Sequence, residues 1–341
     1  MHLERNVSLA PYTTLRIGGP ARFYTRVTTY AELIEALGFA RAEGLPSFLL
    51  GGGSNLLVAD EGYPGLVIHL GLAGDTVVDG ELHEVAAGTE WDSFVRGACE
   101  LGYSGVECLA GIPGLAGGTP VQNVGAYGQE VAQTIARVTA LDLETLATVS
   151  FANSECRFAY RQSLFNSTHR NRYIVTAVRF RLSPEGRPNL TYADLKQHFG
   201  DARPAPLEVY EAVRGIRRSK GMLLVEDDPD SRSAGSFFKN PVIPVGQLEG
   251  IAKAAGVASV PNWPSGVENA KLPAAWLLDQ AGFHKGFALG EVGISSRHTL
   301  ALINRTGRAT CVDILRLRDA IVAEVQGRFG IRLEQEPVYL A

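Results

Sequence analysis

LGGGSNLLV, residues 50–58, interrupts a simple βαβ pattern, and its composition says what sort of ligand such a pattern could hold. Consecutive glycines followed by Ser54 and Asn55 line up several backbone N–H groups. A nest of that kind binds phosphate or pyrophosphate oxygens without a basic side chain. The plain alternative for a single glycine turn is a hairpin or a bulge. The stretch is not GxGxxG, and it lacks the GK[ST] of a P-loop. Any dinucleotide held here therefore belongs to a fold other than the Rossmann type.

Around it the pattern is regular. Residues 22–27, RFYTRV, predict a strand. Residues 30–43 predict a helix, because Leu33, Ala36, Leu37 and Ala40 recur at helical spacing. SFLL at 47–50 and GLVIHL at 65–70 predict two more strands, one on each side of the glycine turn. From 75 to 183 short strands alternate with loops, with a helix at 90–101 and strands at 136–150 and 173–182. A helix at 208–219 carries Val209, Ala212, Val213 and Ile216 on one stripe. Further helices are expected from Pro273 to Gly282 and over 310–326. The chain closes on a strand, IRLEQEPVYL, for which the sheet of the N-terminal βαβ unit is the natural partner.

The bulk numbers remove several classes of function. The 341 residues exceed what one ordinary core organises, so more than one domain is expected. The formal net charge is −4, without the basic excess of a nucleic-acid binder. Cys99, Cys108, Cys156 and Cys311 fit no zinc or CxxC spacing, and no metal site is expected. They read as reduced thiols, which suits a cytoplasmic protein. The N-terminus has no apolar signal core, and no window of about 18 apolar residues could span a membrane.

Four further stretches could carry chemistry. AGIPGLAGGTPVQNVGAYGQE, 110–130, holds six glycines and two prolines with almost no charge. It reads either as a main-chain wall against a flat ligand or as a buried irregular connection. FAYRQSLF, 158–165, sets Arg161 in an apolar stretch, either on a strand surface or as a fork for a carboxylate. SAGSFFKNP, 233–241, presents Ser236 with no histidine or carboxylate inside it. Ser236 could cap a turn. A serine nucleophile needs a base and an oxyanion hole, which argues against a hydrolase. A serine can still donate a proton to a carbanion. LEQEP, 333–337, places two carboxylates at i and i+2, which share one face of a strand.

In this order, TTLRIGGPA, GGGSNLLV, GIPGLAGGTPVQNVGAYGQE, CRFAYRQSLF, GSFFKNP, AAWLLDQAG and LEQEP resemble the UDP-N-acetylenolpyruvoylglucosamine reductases over residues 5–338. The resemblance implies an α+β chain: a two-subdomain FAD-binding fold of the vanillyl-alcohol-oxidase type plus a C-terminal substrate-binding domain. The implied divisions are 1–70 with 331–341, then 71–219, then 220–330, with the FAD-binding fold spanning roughly 15–183. The resemblance also implies a reaction. Hydride passes from NADPH to non-covalently bound FAD and then to the enolpyruvyl ether of UDP-N-acetylglucosamine, giving a peptidoglycan precursor.

By resemblance Arg161 polarises the substrate carboxylate, Ser236 is the proton donor and Glu336 the catalytic glutamate. Tyr192, in LTYADL, matches the tyrosine of the longer subtype, whose loop closes over substrate. Lys220, Asn240 and Lys271 match positions near substrate. Gly51, Gly52, Gly53, Ser54, Asn55, Ile112, Pro113, Gly117, Asn123, Gly125 and Tyr127 match the FAD cradle, and Arg217 an arginine near the flavin. The working unit implied is a monomer with a small-molecule substrate and no nucleic-acid or membrane partner. One departure stands out: the family continues its glutamate with a basic residue two places on, and here that residue is Val338. The competing readings are a flavin oxidase of the same fold and a non-catalytic nucleotide-binding module.

Overall fold

A computed structural model describes residues 1–341, apart from the side chains of Thr76 and Val77. The chain forms two compact units. One comprises Met1–Val7, Ala21–Gly52 and Pro64–Arg218; the other comprises Ser8–Pro20, Gly53–Tyr63 and Ser219–Ala341. The segment 51–55 thus divides, with Gly51 and Gly52 in the first unit and Gly53, Ser54 and Asn55 in the second.

The first unit contains the predicted βαβ pattern. Helix Tyr30–Ala42 begins on a capping box, in which Thr29 and Glu32 satisfy each other's backbone N–H groups. Its stripe of Leu33, Ala36, Leu37 and Ala40 is buried. It connects Pro20–Val27 to Ser47–Leu50, and the latter pairs in parallel with Tyr63–Leu70. A five-stranded antiparallel sheet follows, in the order Thr148–Ala152, Ile135–Asp142, Tyr173–Arg181, Leu82–Ala86, Asp75–Asp79. The span 136–150, expected as strand throughout, is thus a hairpin of two strands. Helix Trp91–Glu100 buries Trp91, Phe94 and Val95, and Trp91 and Phe94 pack on Phe180 of the sheet at 5.5 and 5.3 Å. Helix Pro206–Ser219 buries Val209, Tyr210 and Val213 in the same core.

The second unit is organised by helix Cys311–Phe329. Thr310 and Asp313 close a capping box at its start, and the Asp60 carboxylate takes the Cys311 and Val312 N–H groups at 2.7 and 3.0 Å. Ile314, Leu317, Ile321 and Val325 face a core that includes Leu15, Leu57, Phe237, Phe238, Leu277 and Leu278. The last strand is shorter than expected. Only Val338–Leu340 is regular, and it runs parallel to Leu56–Val58, in a sheet separate from that of the βαβ unit. The physical reason is Pro337, which interrupts the run with a residue that cannot donate to a ladder.

All four cysteines are buried thiols outside any disulfide. Burial pushes the thiols of Cys156 and Cys311 up to about 12 and raises those of Cys99 and Cys108 as well. Among the described residues no helix is long and apolar enough to cross a membrane, and no group of His, Cys, Asp or Glu could hold a metal ion.

Candidate active site

In the first unit the two glycine-rich stretches meet. A Cβ on Gly52 would lie 2.6 Å from Gly114 Cα, so no other residue fits this approach of main chain to main chain. The GIPG turn, 111–114, is held from behind by two helices. The Asp92 carboxylate takes the Gly111 N–H at 2.5 Å, and the buried Arg217 donates its Nε–H to the Gly111 carbonyl at 3.1 Å. Asp92 also accepts from Tyr210 Oη at 3.2 Å and pairs with Arg214. Burial, then the Asp92 charge, pushes the Tyr210 phenol up to about 12, so it remains a donor. The Trp91 N–H holds the other end of the turn, donating to the Gly114 carbonyl at 3.0 Å.

Ile112, Pro113, Gly125 and Tyr127 are left half-buried along this wall, whereas Gly117 is buried. A Cβ on Gly117 would lie 2.4 Å from the Cβ of Ala87. The result is a peptide-lined surface backed by a guanidinium whose burial lowers its pKa. Main chain left this bare of side chains can lie close against a flat ring. Asn123 is turned inward instead. Its amide donates to Glu130 Oε2 at 2.8 Å and to the Ala159 carbonyl at 3.1 Å, and its Oδ1 accepts from Ala132 N at 3.1 Å.

Arg161 does not sit on a strand. Ala159 and Gln162 pair across a tight turn, and Arg161 adopts a left-handed φ of 55° within it. The turn is tied to the glycine wall at three points. Asn123 holds Ala159, the buried Ser163 Oγ donates to the Val121 carbonyl at 2.6 Å, and Arg161 Nη1 donates to the Gly125 carbonyl at 3.2 Å. Asn166 Nδ2 closes the turn on the Arg161 carbonyl at 3.1 Å. Tyr192 precedes helix Ala193–Phe199, is exposed, and meets the Tyr127 ring edge-on at 5.2 Å.

The second unit brings Ser236 and Glu336 into one local structure. Phe237 and Phe238 are buried, with their rings 5.4 Å apart, and they anchor the half-buried Ser236. Gly235 supplies the positive φ of 75° that turns the chain into this position. The Phe237 N–H donates to the Leu300 carbonyl at 2.8 Å, and its carbonyl accepts the Glu336 N–H at 2.9 Å. Phe238 pairs with Gln335 across an isolated antiparallel bridge, so the LEQEP stretch is held by one bridge rather than by a regular strand.

Glu334 stays exposed and pairs with Lys239, while Glu336 is half-buried, so the two carboxylates have different surroundings. Asn55 flanks the same place. Its carbonyl accepts the Val338 N–H at 2.9 Å, and its amide reaches the Glu336 carbonyl at 3.4 Å. A cation does approach the segment that lacks a basic residue at 338: Arg318 Nη1 donates to Gln335 Oε1 at 3.1 Å. Asn240 takes the Ala274 N–H at 2.9 Å and so starts helix Ala274–Gln280, and Lys271 ends a strand paired with Val242. Lys220 follows helix Pro206–Ser219 directly.

Sequence reasoning passed over Asp92, Glu107 and Asn189, which lie outside the motifs, and Ser163, which lies inside CRFAYRQSLF without being singled out. Asn189 had a readable signal, since an asparagine two places before a threonine is the spacing of an Asx turn.

Comparison with known proteins identifies the family. Residues 21–145 match the FAD binding domain family, and residues 227–340 match the family described as UDP-N-acetylenolpyruvoylglucosamine reductase, C-terminal domain. The UDP-N-acetylenolpyruvoylglucosamine reductase of Thermobifida fusca is 46% identical, with 98% of this chain and 97% of that one covered. That of Streptomyces avermitilis is 44% identical, covering 97% and 93%. The crystal structure of the Thermus caldophilus enzyme superposes with a TM-score of 0.68 at 30% identity, over 100% of both chains. On these findings the chain belongs to the UDP-N-acetylenolpyruvoylglucosamine reductase family.

Proposed function

We propose that Arg161, Ser236 and Glu336 carry the reduction of the enolpyruvyl ether of UDP-N-acetylglucosamine to UDP-N-acetylmuramate, with NADPH as co-substrate. The observation that carries this reading is the bond from Glu336 N–H to the Phe237 carbonyl, which fixes the glutamate one residue from Ser236. The main chain at Gly51–Asn55, with Ile112, Pro113, Gly125, Tyr127 and Arg217, would hold FAD non-covalently. FAD supplies the hydride that reaches the methylene carbon of the double bond.

The remaining work falls to side chains of this chain. Arg161 offers its guanidinium fork to the substrate carboxylate, into which charge spreads as the double bond takes up hydride. Glu336 stabilises that charge through its proton or its hydrogen bonds. Donors fixed in advance at the place where charge develops make the largest catalytic contribution. Ser236 then gives its hydroxyl proton to the carbon beside the carboxylate, and solvent restores the hydroxyl. A hydroxyl is a poor general acid near neutral pH, and it serves here because a carbanion-like carbon is a strong base.

Tyr192, Lys220, Asn240 and Lys271 would contact the sugar nucleotide. We place the reaction in the cytoplasm, where reducing conditions suit the four buried thiols, and take the monomer as the working unit.

An anaerobic titration tests this reading. The yellow protein should bleach on addition of NADPH, and its absorbance should return on addition of the enolpyruvyl sugar nucleotide. Return only on admission of oxygen would favour a flavin oxidase and refute the proposal.

A further inference from the structure

Three residues before Tyr192, Asn189 joins the tyrosine segment to the wall beneath it. Its Oδ1 accepts from Thr191 N at 3.0 Å and from Thr191 Oγ1 at 2.7 Å, closing an Asx turn directly ahead of Tyr192. Its Nδ2 donates to the Gly128 carbonyl at 3.3 Å. Its backbone N–H donates to Glu107 Oε1 at 3.2 Å, and its carbonyl accepts from Cys108 Sγ at 3.3 Å.

Glu107 is a fixed base for this arrangement. It is 1% exposed, and it also accepts from Gly105 N at 2.6 Å and from Gln129 Nε2 at 3.4 Å. Gly128 adopts a positive φ of 79° that favours glycine, and a Cβ there would lie 3.2 Å from Thr191 Oγ1. The same segment carries Tyr127, whose ring packs edge-on against Tyr192.

We propose that Asn189 is a positioning residue for substrate binding: it braces the backbone of 189–191 against the wall and so favours the closed position of the segment, in which Tyr192 meets the sugar nucleotide. The inference rests on the reading of Tyr192 as a substrate contact. Without the Asn189 side chain, the backbone ahead of Tyr192 must be ordered when substrate binds, and that entropy is subtracted from affinity. Asn189 is half-buried and lies in a connection outside helices and strands, so its replacement leaves both cores intact.

The test is a double-mutant cycle on the FAD-loaded protein without NADPH, with the dissociation constant of the enolpyruvyl sugar nucleotide read by calorimetry. Asn189→Ala should weaken binding about tenfold, the scale of one to two lost hydrogen bonds. Bleaching by NADPH should keep its wild-type rate. Tyr192→Ala should weaken binding as well, and adding Asn189→Ala to it should cost nothing further. If Asn189→Ala binds like wild type while Tyr192→Ala does not, the positioning role is refuted. Equal losses from Asn189→Ala with and without Tyr192 would refute it too, by showing that Asn189 acts elsewhere. Unchanged binding in Tyr192→Ala would overturn the reading of Tyr192 itself, and the role of Asn189 with it.

Discussion

Ser236 and Arg161 are held in place by opposite means. Ser236 is carried by its neighbours: Phe237 and Phe238 are sunk in the core of the second unit, and the hydroxyl goes where they put it. Arg161 sits in a left-handed turn beside the glycine wall, and polar bonds from Asn123, Ser163 and its own guanidinium hold it there. Apolar anchoring resists substitution at the polar residue itself, because the energy lies in the rings. Polar stitching spreads the same task over several bonds, each worth about 1 kcal/mol.

Substitutions can break that comparison. The largest effect should come from Phe238→Ala, which empties a core position and costs about 3–5 kcal/mol of stability. Urea unfolding of the variant should show it, and a loss below about 1 kcal/mol would mean that the rings are not the anchor. Arg161→Lys keeps the charge but loses the planar fork and the geometry of the bond to Gly125. Return of flavin absorbance with the sugar nucleotide should slow about a hundredfold, with bleaching by NADPH unchanged. A rate equal to wild type would show that a point charge suffices.

The smallest effect concerns acid stability in the second unit. Burial alone would raise the Asp230 carboxyl, but hydrogen bonds from Ser296 and Arg297 outweigh it and hold the group below its ordinary value of 3.8. A carboxyl lowered in the folded state adds stability above the ordinary range, and that stability is lost as pH falls through the lowered value. Asp230→Asn should therefore flatten the acid side of the urea-midpoint profile below about pH 5. A profile that keeps the wild-type slope would remove Asp230 as its source.

The same contrast explains what could be read from the sequence. The anchoring of GSFFKNP is legible because the two aromatic rings sit next to Ser236, and the helices are legible because their stripes repeat within a few residues. Capping pairs such as Thr310 with Asp313 are local in the same way. The support of Arg161 was not legible: Asn123 lies 36 residues from Ala159, and Val121 lies 42 from Ser163. Nothing in FAYRQSLF announces a left-handed turn, so a strand was the reasonable expectation. Asp92 was hidden for the same reason, since its partners lie at Gly111, Tyr210 and Arg214. The close approach of Gly52 to Gly114 is likewise hidden in the sequence, since the two glycines lie in separate stretches.

The central claim is that Ser236 needs no base because it acts only as a proton donor to carbon. Stopped-flow spectroscopy of Ser236→Ala under anaerobic conditions tests it most directly, by following the two half-reactions separately. The account predicts bleaching by NADPH at the wild-type rate, with return of absorbance on the sugar nucleotide slowed about a hundredfold to ten-thousandfold. Equal slowing of both half-reactions, or of neither, would contradict it.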